Sequence, residues 1–280
     1  MSDLVVRRLL VDLTTPFEAR WNGGDAFRSA FFNALSMSFP VGEQYFIDSV
    51  RAGVKALPGA ERDSFAKEVA GFIGQEATHR RVHDLFNGHL QTLGFDNWIA
   101  RNSTQRFQAN ADKDVRIHVA ATAATEHFTA IFANWTMRHP EAFEGADERL
   151  KTLWMWHAAE ESEHRCTAFD VYQRLSGNHT WRVRVFKAVS VMFLTDVTRQ
   201  TLRNLKHDQA LWRWSTWRSA WQLLFSREGM IRGNFGQWRD YLSPTFHPSQ
   251  HDATLSARWL QDNTAQFSVV GQATAQLQPS

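Results

Sequence analysis

The chain is poor in the features that would make its function easy to classify. It has one cysteine, Cys166, in 280 residues, so a disulfide framework is excluded and a thiolate zinc site cannot be assembled from one sulfur. No uncharged apolar run approaches the roughly 20 residues that a spanning helix needs. The nearest, AVSVMFLT, is short and bracketed by Lys187 and Asp196. The N-terminus, MSDLVVRRLLVDLTT, has no apolar stretch followed by a small-residue cleavage site, which argues against secretion and for a reducing cytoplasmic setting. A net charge of +2 is too small for a dedicated nucleic-acid binder. Strand-like alternation is also missing, and the seven prolines leave long stretches free for helix.

What is present is helical periodicity. Residues 1–24 read as an extended lead-in closed by Pro16 and the Gly23-Gly24 pair. The stretch from Asp25 carries apolar residues at helical spacing, with Pro40 expected to kink or divide it. A second helix opens after Pro58-Gly59, with the inner stripe Phe65, Val69, Phe72, Glu76, His79, His83, Phe86, Leu90. A third fits residues 113–138 and a fourth residues 147–175, the latter with the stripe Leu150, Trp154, His157, Glu161, His164, Ala168, Val171, Leu175. The fold class expected is all-α: a ferritin-like four-helix bundle over 25–178. Residues 179–252 would form a helical appendage, basic and rich in tryptophan. Between 180 and 245 it holds eleven Lys/Arg against four acidic residues, with six tryptophans. The tail from 253 to 280 is polar and weakly patterned, so loose order is expected there.

The stripes carry groups that a core should reject. Burying a carboxylate or imidazole unpaired costs several kcal/mol, so these side chains need a partner. Glu43 stands alone on the first helix and Glu126 on the third, while Glu76-x-x-His79 and Glu161-x-x-His164 lie on the second and fourth. The separations Glu43 to Glu76 and Glu126 to Glu161 are 33 and 35 positions, so one half-site is written twice. Residues three apart share a helix face about 5–6 Å apart, within reach of one metal. Four carboxylates and two imidazoles from four helices make the donor set of a dinuclear carboxylate centre, and hard oxygen with imidazole suits iron or manganese. His157, four before Glu161, is a further ligand candidate. His83, four after His79, is a ligand or a partner behind one. Glu161 is preferred to its neighbour Glu160 because it lies on the stripe; Glu160 is the alternative.

Other polar residues are given lesser roles. His118, His127 and His139 have no partner at useful spacing, and Cys166 reads as a small buried hydrophobe. Tyr45 could be a redox-active neighbour, and Asp48 and Asp170 could orient ligand imidazoles. The loop FHPSQHD, with His247 and His251, reads as a clasp.

FPVGEQYFIDSVR, FIGQEATHRRVHDLFN, TEHFTAIFANW, WMWHAAEESEHRCTAFDVY and FHPSQHD together resemble the bacterial family grouped as predicted metal-dependent hydrolases, over roughly residues 25–250. The site alone is similar to that of p-aminobenzoate N-oxygenase, through His157-x-x-x-Glu161-x-x-His164. That second resemblance implies that the extra histidine is a ligand. The first expectation is a di-iron or iron/manganese oxygenase or oxidase using O2 and an external electron donor on a hydrophobic small molecule or lipid. The alternative is a hydrolase using the same ligands, and a further one is a non-catalytic metal-binding or membrane-associated protein. Packing of the appendage on the bundle is favoured over peripheral contact with the inner face of a membrane, and a homodimer is possible.

Overall fold

The computed structural model describes residues 4–271 and is mostly helical. In chain order it runs β1 (Arg7–Leu9), α1 (Ala26–Lys55), α2 (Gly59–Thr92), α3 (Trp98–Ala109), α4 (Val115–Arg138), α5 (Glu148–His164), α6 (Thr167–Arg174), α7 (His179–His207), α8 (Trp214–Phe225), α9 (Met230–Gly233), α10 (Phe235–Asp240), α11 (Thr254–Asp262) and β2 (Phe267–Val269). Several starts are fixed locally: Asp25, Asn97, Asp114, Asp147 and Asn178 each accept a hydrogen bond from an orphan N–H of the first turn. The helices expected to carry the donors, α1, α2, α4 and α5, pack on one another. α7 lies against both α1 and α4.

Pro40 does not divide the first helix; α1 runs through it. Proline removes the N–H that would have bonded the carbonyl four residues back, here that of Ser36. Asn87 of α2 supplies the missing donor, its Nδ2 lying 2.8 Å from Ser36 O. The Ser36 hydroxyl in turn donates to Asn87 Oδ1 at 2.9 Å. Asn87→Ala leaves that buried carbonyl without its donor and is expected to cost about 1–3 kcal/mol in urea unfolding.

The fourth helix, expected as one piece, is broken into α5 and α6 at Arg165-Cys166. Arg165 is drawn aside by the FHPSQHD clasp: its guanidinium donates to the carbonyls of Pro248 at 3.1 Å and His251 at 2.7 Å. Two further elements depart from the sequence reading. α3 had not been assigned, and the stretch 253–271 holds α11 and β2 where loose order was expected. β2 pairs antiparallel with β1, Leu9 opposite Phe267 and Arg7 opposite Val269. Residues 272–280, the rest of the expected loose tail, lie outside the described part.

The N-terminal segment also presses on α2. A Cβ at Gly71 would lie 2.5 Å from Leu4 Cβ, and one at Gly74 would lie 2.4 Å from Val6 Cγ2. These two glycines let the segment lie flat on the helix, and that approach delivers Arg7 to the interior.

Apolar packing forms two clusters, and five of the polar stripe residues fall where the chain passes from one to the other. In α1 the passage lies between Met37 and Phe46, around Glu43; in α2 it lies between Phe72 and Val82, around Glu76 and His79. From α5 to α6 it lies between Ala159 and Ala168, around Glu161 and His164. These five sit between the two apolar clusters, while Glu126 lies within the second cluster's stretch of α4 and His157 within the first cluster's stretch of α5.

Candidate metal centre

The seven residues singled out by spacing converge. Glu43, Glu76, His79, Glu126, His157, Glu161 and His164 are all buried, none more than 4% exposed. Their donor atoms form overlapping groups with every member within 4.8 Å of the others: Glu43 with Glu76 and His79, Glu76 with Glu126 and His164, His79 with Glu161 and His164, and Glu43 with His83 and His157. Glu76 belongs to two of these groups, one reaching α1 and the other α4 and α5; Glu43, His79 and His164 also belong to two each.

The contacts inside the cluster pair imidazole with carboxylate. His157 Nε2 lies 3.0 Å from Glu161 Oε1, and His164 Nδ1 lies 2.9 Å from Glu126 Oε2. His79 Nδ1 is 3.5 Å from Glu161 Oε1. The His79 and His157 rings stack with centroids 4.3 Å apart. Yet both oxygens of Glu43 and of Glu76, one oxygen each of Glu126 and Glu161, His79 Nδ1 and His164 Nε2 are buried with no hydrogen-bond partner. Orphaned donors and acceptors of this kind are rare in packed interiors, and here they point at one another. Carboxylate oxygens and imidazole nitrogens, with no thiolate, fit hard or borderline divalent ions such as iron or manganese.

Electrostatics gives the same answer. Burial, reinforced by the neighbouring carboxylates, pushes Glu43 and Glu76 well above the usual carboxylate range, and burial raises Glu126 as well. Burial acts in the same direction on Glu161, but His164, His157 and His79 outweigh it and hold that carboxylate well below its usual range. Burial lowers the His79 imidazole, yet Glu160 and Glu161 raise it to about 10. Without a cation, burial favours the protonated form of Glu43, Glu76 and Glu126, while Glu161 is held by its imidazole partners. Two divalent ions would neutralise four carboxylates directly.

Glu160 has a different role from Glu161. It accepts from His79 Nε2 at 2.9 Å through one oxygen and from Arg7 at 3.0 Å through the other. Arg7 also reaches Glu163 at 2.7 Å. This leaves His79 Nδ1 free to face the cluster, the arrangement by which a carboxylate fixes the tautomer of a ligand imidazole. The Arg7 contribution spans 153 positions and depends on β1 lying over α2, so no local pattern announces it. Glu160→Ala is expected to weaken metal binding about 10- to 100-fold in a metal titration, with the helical content retained.

His83 bridges outward. Its Nε2 lies 2.8 Å from His157 Nδ1 and its Nδ1 lies 2.8 Å from the Ser36 hydroxyl. Both His157 nitrogens are therefore engaged, one by His83 and one toward Glu161. Burial drives His83 well below the usual imidazole range and His157 down to about 4, so both stay neutral, and His157 Nε2 keeps a lone pair toward the cluster.

The remaining polar residues lie elsewhere. Asp48 is exposed and pairs with Arg51, and Asp170 pairs with His247 at 2.8 Å. Neither orients a ligand of the cluster, contrary to expectation, because both lie on outward-turned faces. Tyr45 stacks on Phe107 and bonds His118 at 2.9 Å. His127 bonds the Gln237 carbonyl, and His139 pairs with Glu141. His251 faces Asp240 at 3.6 Å, so the FHPSQHD loop acts as the clasp expected of it. Cys166 is half-buried, at the turn between α5 and α6.

A cavity touches the cluster. It is lined by Phe32, Phe39, Phe132, Trp154 and Phe193, together with His157 and Glu161. Phe39 stacks on His157 at 4.8 Å. Apart from His157 and Glu161, its polar groups are the hydroxyls of Thr129 and Thr136 and the indole N–H of Trp154.

Among curated proteins and solved structures, none matches the chain at a significant level. A family model does match, over residues 5–252, a span that includes every donor and the clasp. The chain belongs to the family described as predicted metal-dependent hydrolase.

Proposed function

We propose that the chain is a metal-dependent enzyme holding two ions between Glu43, Glu76, Glu126 and Glu161 and the imidazoles of His79, His157 and His164, and acting on a small apolar molecule. The observation that carries it is the convergence of buried, unpartnered carboxylate and imidazole atoms on one point. Hydrolysis is the leading chemistry, because the family description names it; this reverses the order expected from the sequence, where oxidation came first. When bound, the ions supply Lewis-acid polarisation of the substrate and a nucleophilic water at neutral pH. The chain's own residues bind and orient. Glu160 and Arg7 lock His79, and His83 and Ser36 lock His157. The aromatic wall of the cavity excludes bulk water and accommodates an apolar acyl or alkyl group.

A second reading, oxidation of an apolar substrate by O2 with iron or iron/manganese and an external electron donor, has a specific observation in its favour. The donors are buried in a carboxylate-rich layer with an aromatic wall, and such enclosure protects reactive species from water. The ferritin-like four-helix arrangement, with α1, α2, α4 and α5 each contributing donors, is part of that reading by analogy of fold. The test loads metal-free protein with Mn(II), Zn(II) or Fe(II) and measures hydrolysis of aryl esters of graded chain length beside O2 uptake with a reductant. Ester turnover that needs metal and ignores O2 supports hydrolysis. O2 uptake confined to the iron form supports oxidation, and neither response with any metal overturns the enzymatic reading.

A further inference from the structure

α8 is mounted with its apolar side outward. Trp214, Trp217, Trp221 and Phe225 follow one another at spacings of three and four and so share one broad face. They are 81%, 43%, 63% and 43% exposed, and Trp212, just before the helix, is 92% exposed. The face turned inward holds Thr216, Ser219, Ala220 and Leu223. Burial normally takes the aromatic stripe and leaves serine and threonine to solvent. Here α8 rests on α1 through its smaller, more polar residues. The expectation that these aromatics pack on the bundle does not hold for α8, and the outward stripe is free for a ligand.

Charge selects the ligand. Residues 209–227 contain Arg213, Arg218 and Arg227 and no acidic residue, and among the described residues none of the three has an ion-pair partner. A second copy of the same face would bring six arginines together with no carboxylate from these segments. A surface of anionic headgroups over an apolar interior matches both components: indoles favour the depth of the headgroups, and guanidinium groups pair with phosphate. No described helix is long and apolar enough to cross a membrane, so the contact is peripheral. We propose that α8, with Trp212, seats the protein on the surface of an anionic lipid bilayer, the indole rings entering the interface and Arg213 and Arg218 pairing with lipid phosphate.

The test is co-sedimentation of the full chain with vesicles of phosphatidylcholine alone and of phosphatidylcholine containing phosphatidylglycerol, with tryptophan emission followed in parallel. Binding to the phosphatidylglycerol vesicles with a blue shift is expected. The Trp214→Ser/Trp221→Ser variant should lose both signals while keeping its circular dichroism, since neither ring is part of the core. Arg213→Gln/Arg218→Gln should weaken binding roughly 30-fold at low salt and leave any residual binding insensitive to salt. Absence of binding to either vesicle, or binding unchanged in the tryptophan variant, overturns the proposal. So does a dimer in sedimentation that the tryptophan variant dissociates, because the stripe would then be filled by a second copy.

Discussion

Glu43→Leu is expected to raise the melting temperature of the metal-free protein by about 5 °C while reducing metal-dependent activity by more than roughly 100-fold. In the metal-free chain both Glu43 oxygens are buried without a hydrogen-bond partner, and burial together with the nearby Glu161 pushes the carboxyl well above its usual range. Leucine of similar volume removes that desolvation penalty, and replacing buried charge by well-packed apolar groups stabilises by about 1–4 kcal/mol. The same change removes a donor belonging to two of the cluster's groups. Stability gained where function is lost is the mark of a residue kept for its chemistry. Differential scanning fluorimetry in chelator, beside activity of the metal-loaded variant, checks both halves. A fall in melting temperature would show that Glu43 is a structural partner.

The stabilisation gained from bound metal should grow with pH. Glu43, Glu76, His79 and His164 all have raised pKa values in the metal-free fold, through burial for the carboxyls and through carboxylate partners for the imidazoles. Above the ordinary imidazole value of 6.5 the folded chain therefore holds protons that the unfolded chain has released. Stability falls with rising pH wherever the native state binds more protons, so the metal-free protein weakens from pH 6.5 toward about 10, where His79 titrates. His83 and His157 are lowered and act with the opposite sign, but only below 6.5, between their folded and unfolded values. Ions take the place of those protons and remove the decline. With Mn(II) at about 1,000 times its dissociation constant the gain is about 4 kcal/mol, or roughly 10 °C. The interval between metal-free and Mn(II)-loaded melting temperatures should widen steadily from pH 6.5 to about 8.5. An interval that is flat or narrowing over that range would contradict the assignment of these groups as ligands.

The convergence of these side chains could be read from the sequence because helical spacing is local information. Glu76 and His79 three apart on an apolar stripe face one way whatever the rest of the chain does, and the same holds for His157, Glu161 and His164. The supporting contacts could not be read that way. Arg7 reaches Glu160 only because a two-stranded pairing of β1 with β2 and two glycines of α2 place it there. Pro40 read as a kink or a division, since the donor that replaces its missing N–H comes from Asn87 on another helix. The division at Arg165-Cys166 has no glycine or proline to mark it; the cause is a guanidinium drawn to carbonyls more than eighty positions away. α8 shows a different limit: periodicity finds the tryptophan stripe, but which face turns inward is a tertiary decision.

The most direct test of the metal centre is stoichiometry. Metal-free protein is dialysed against Mn(II) or, without oxygen, Fe(II), and metal per chain is measured by mass spectrometry for the native sequence and for Glu76→Ala/Glu161→Ala. Two ions per chain in the native protein, falling below one in the variant while the circular dichroism of the helices is kept, is the result expected of a two-ion site. Native protein that binds no metal, or a variant that retains two ions, would contradict it.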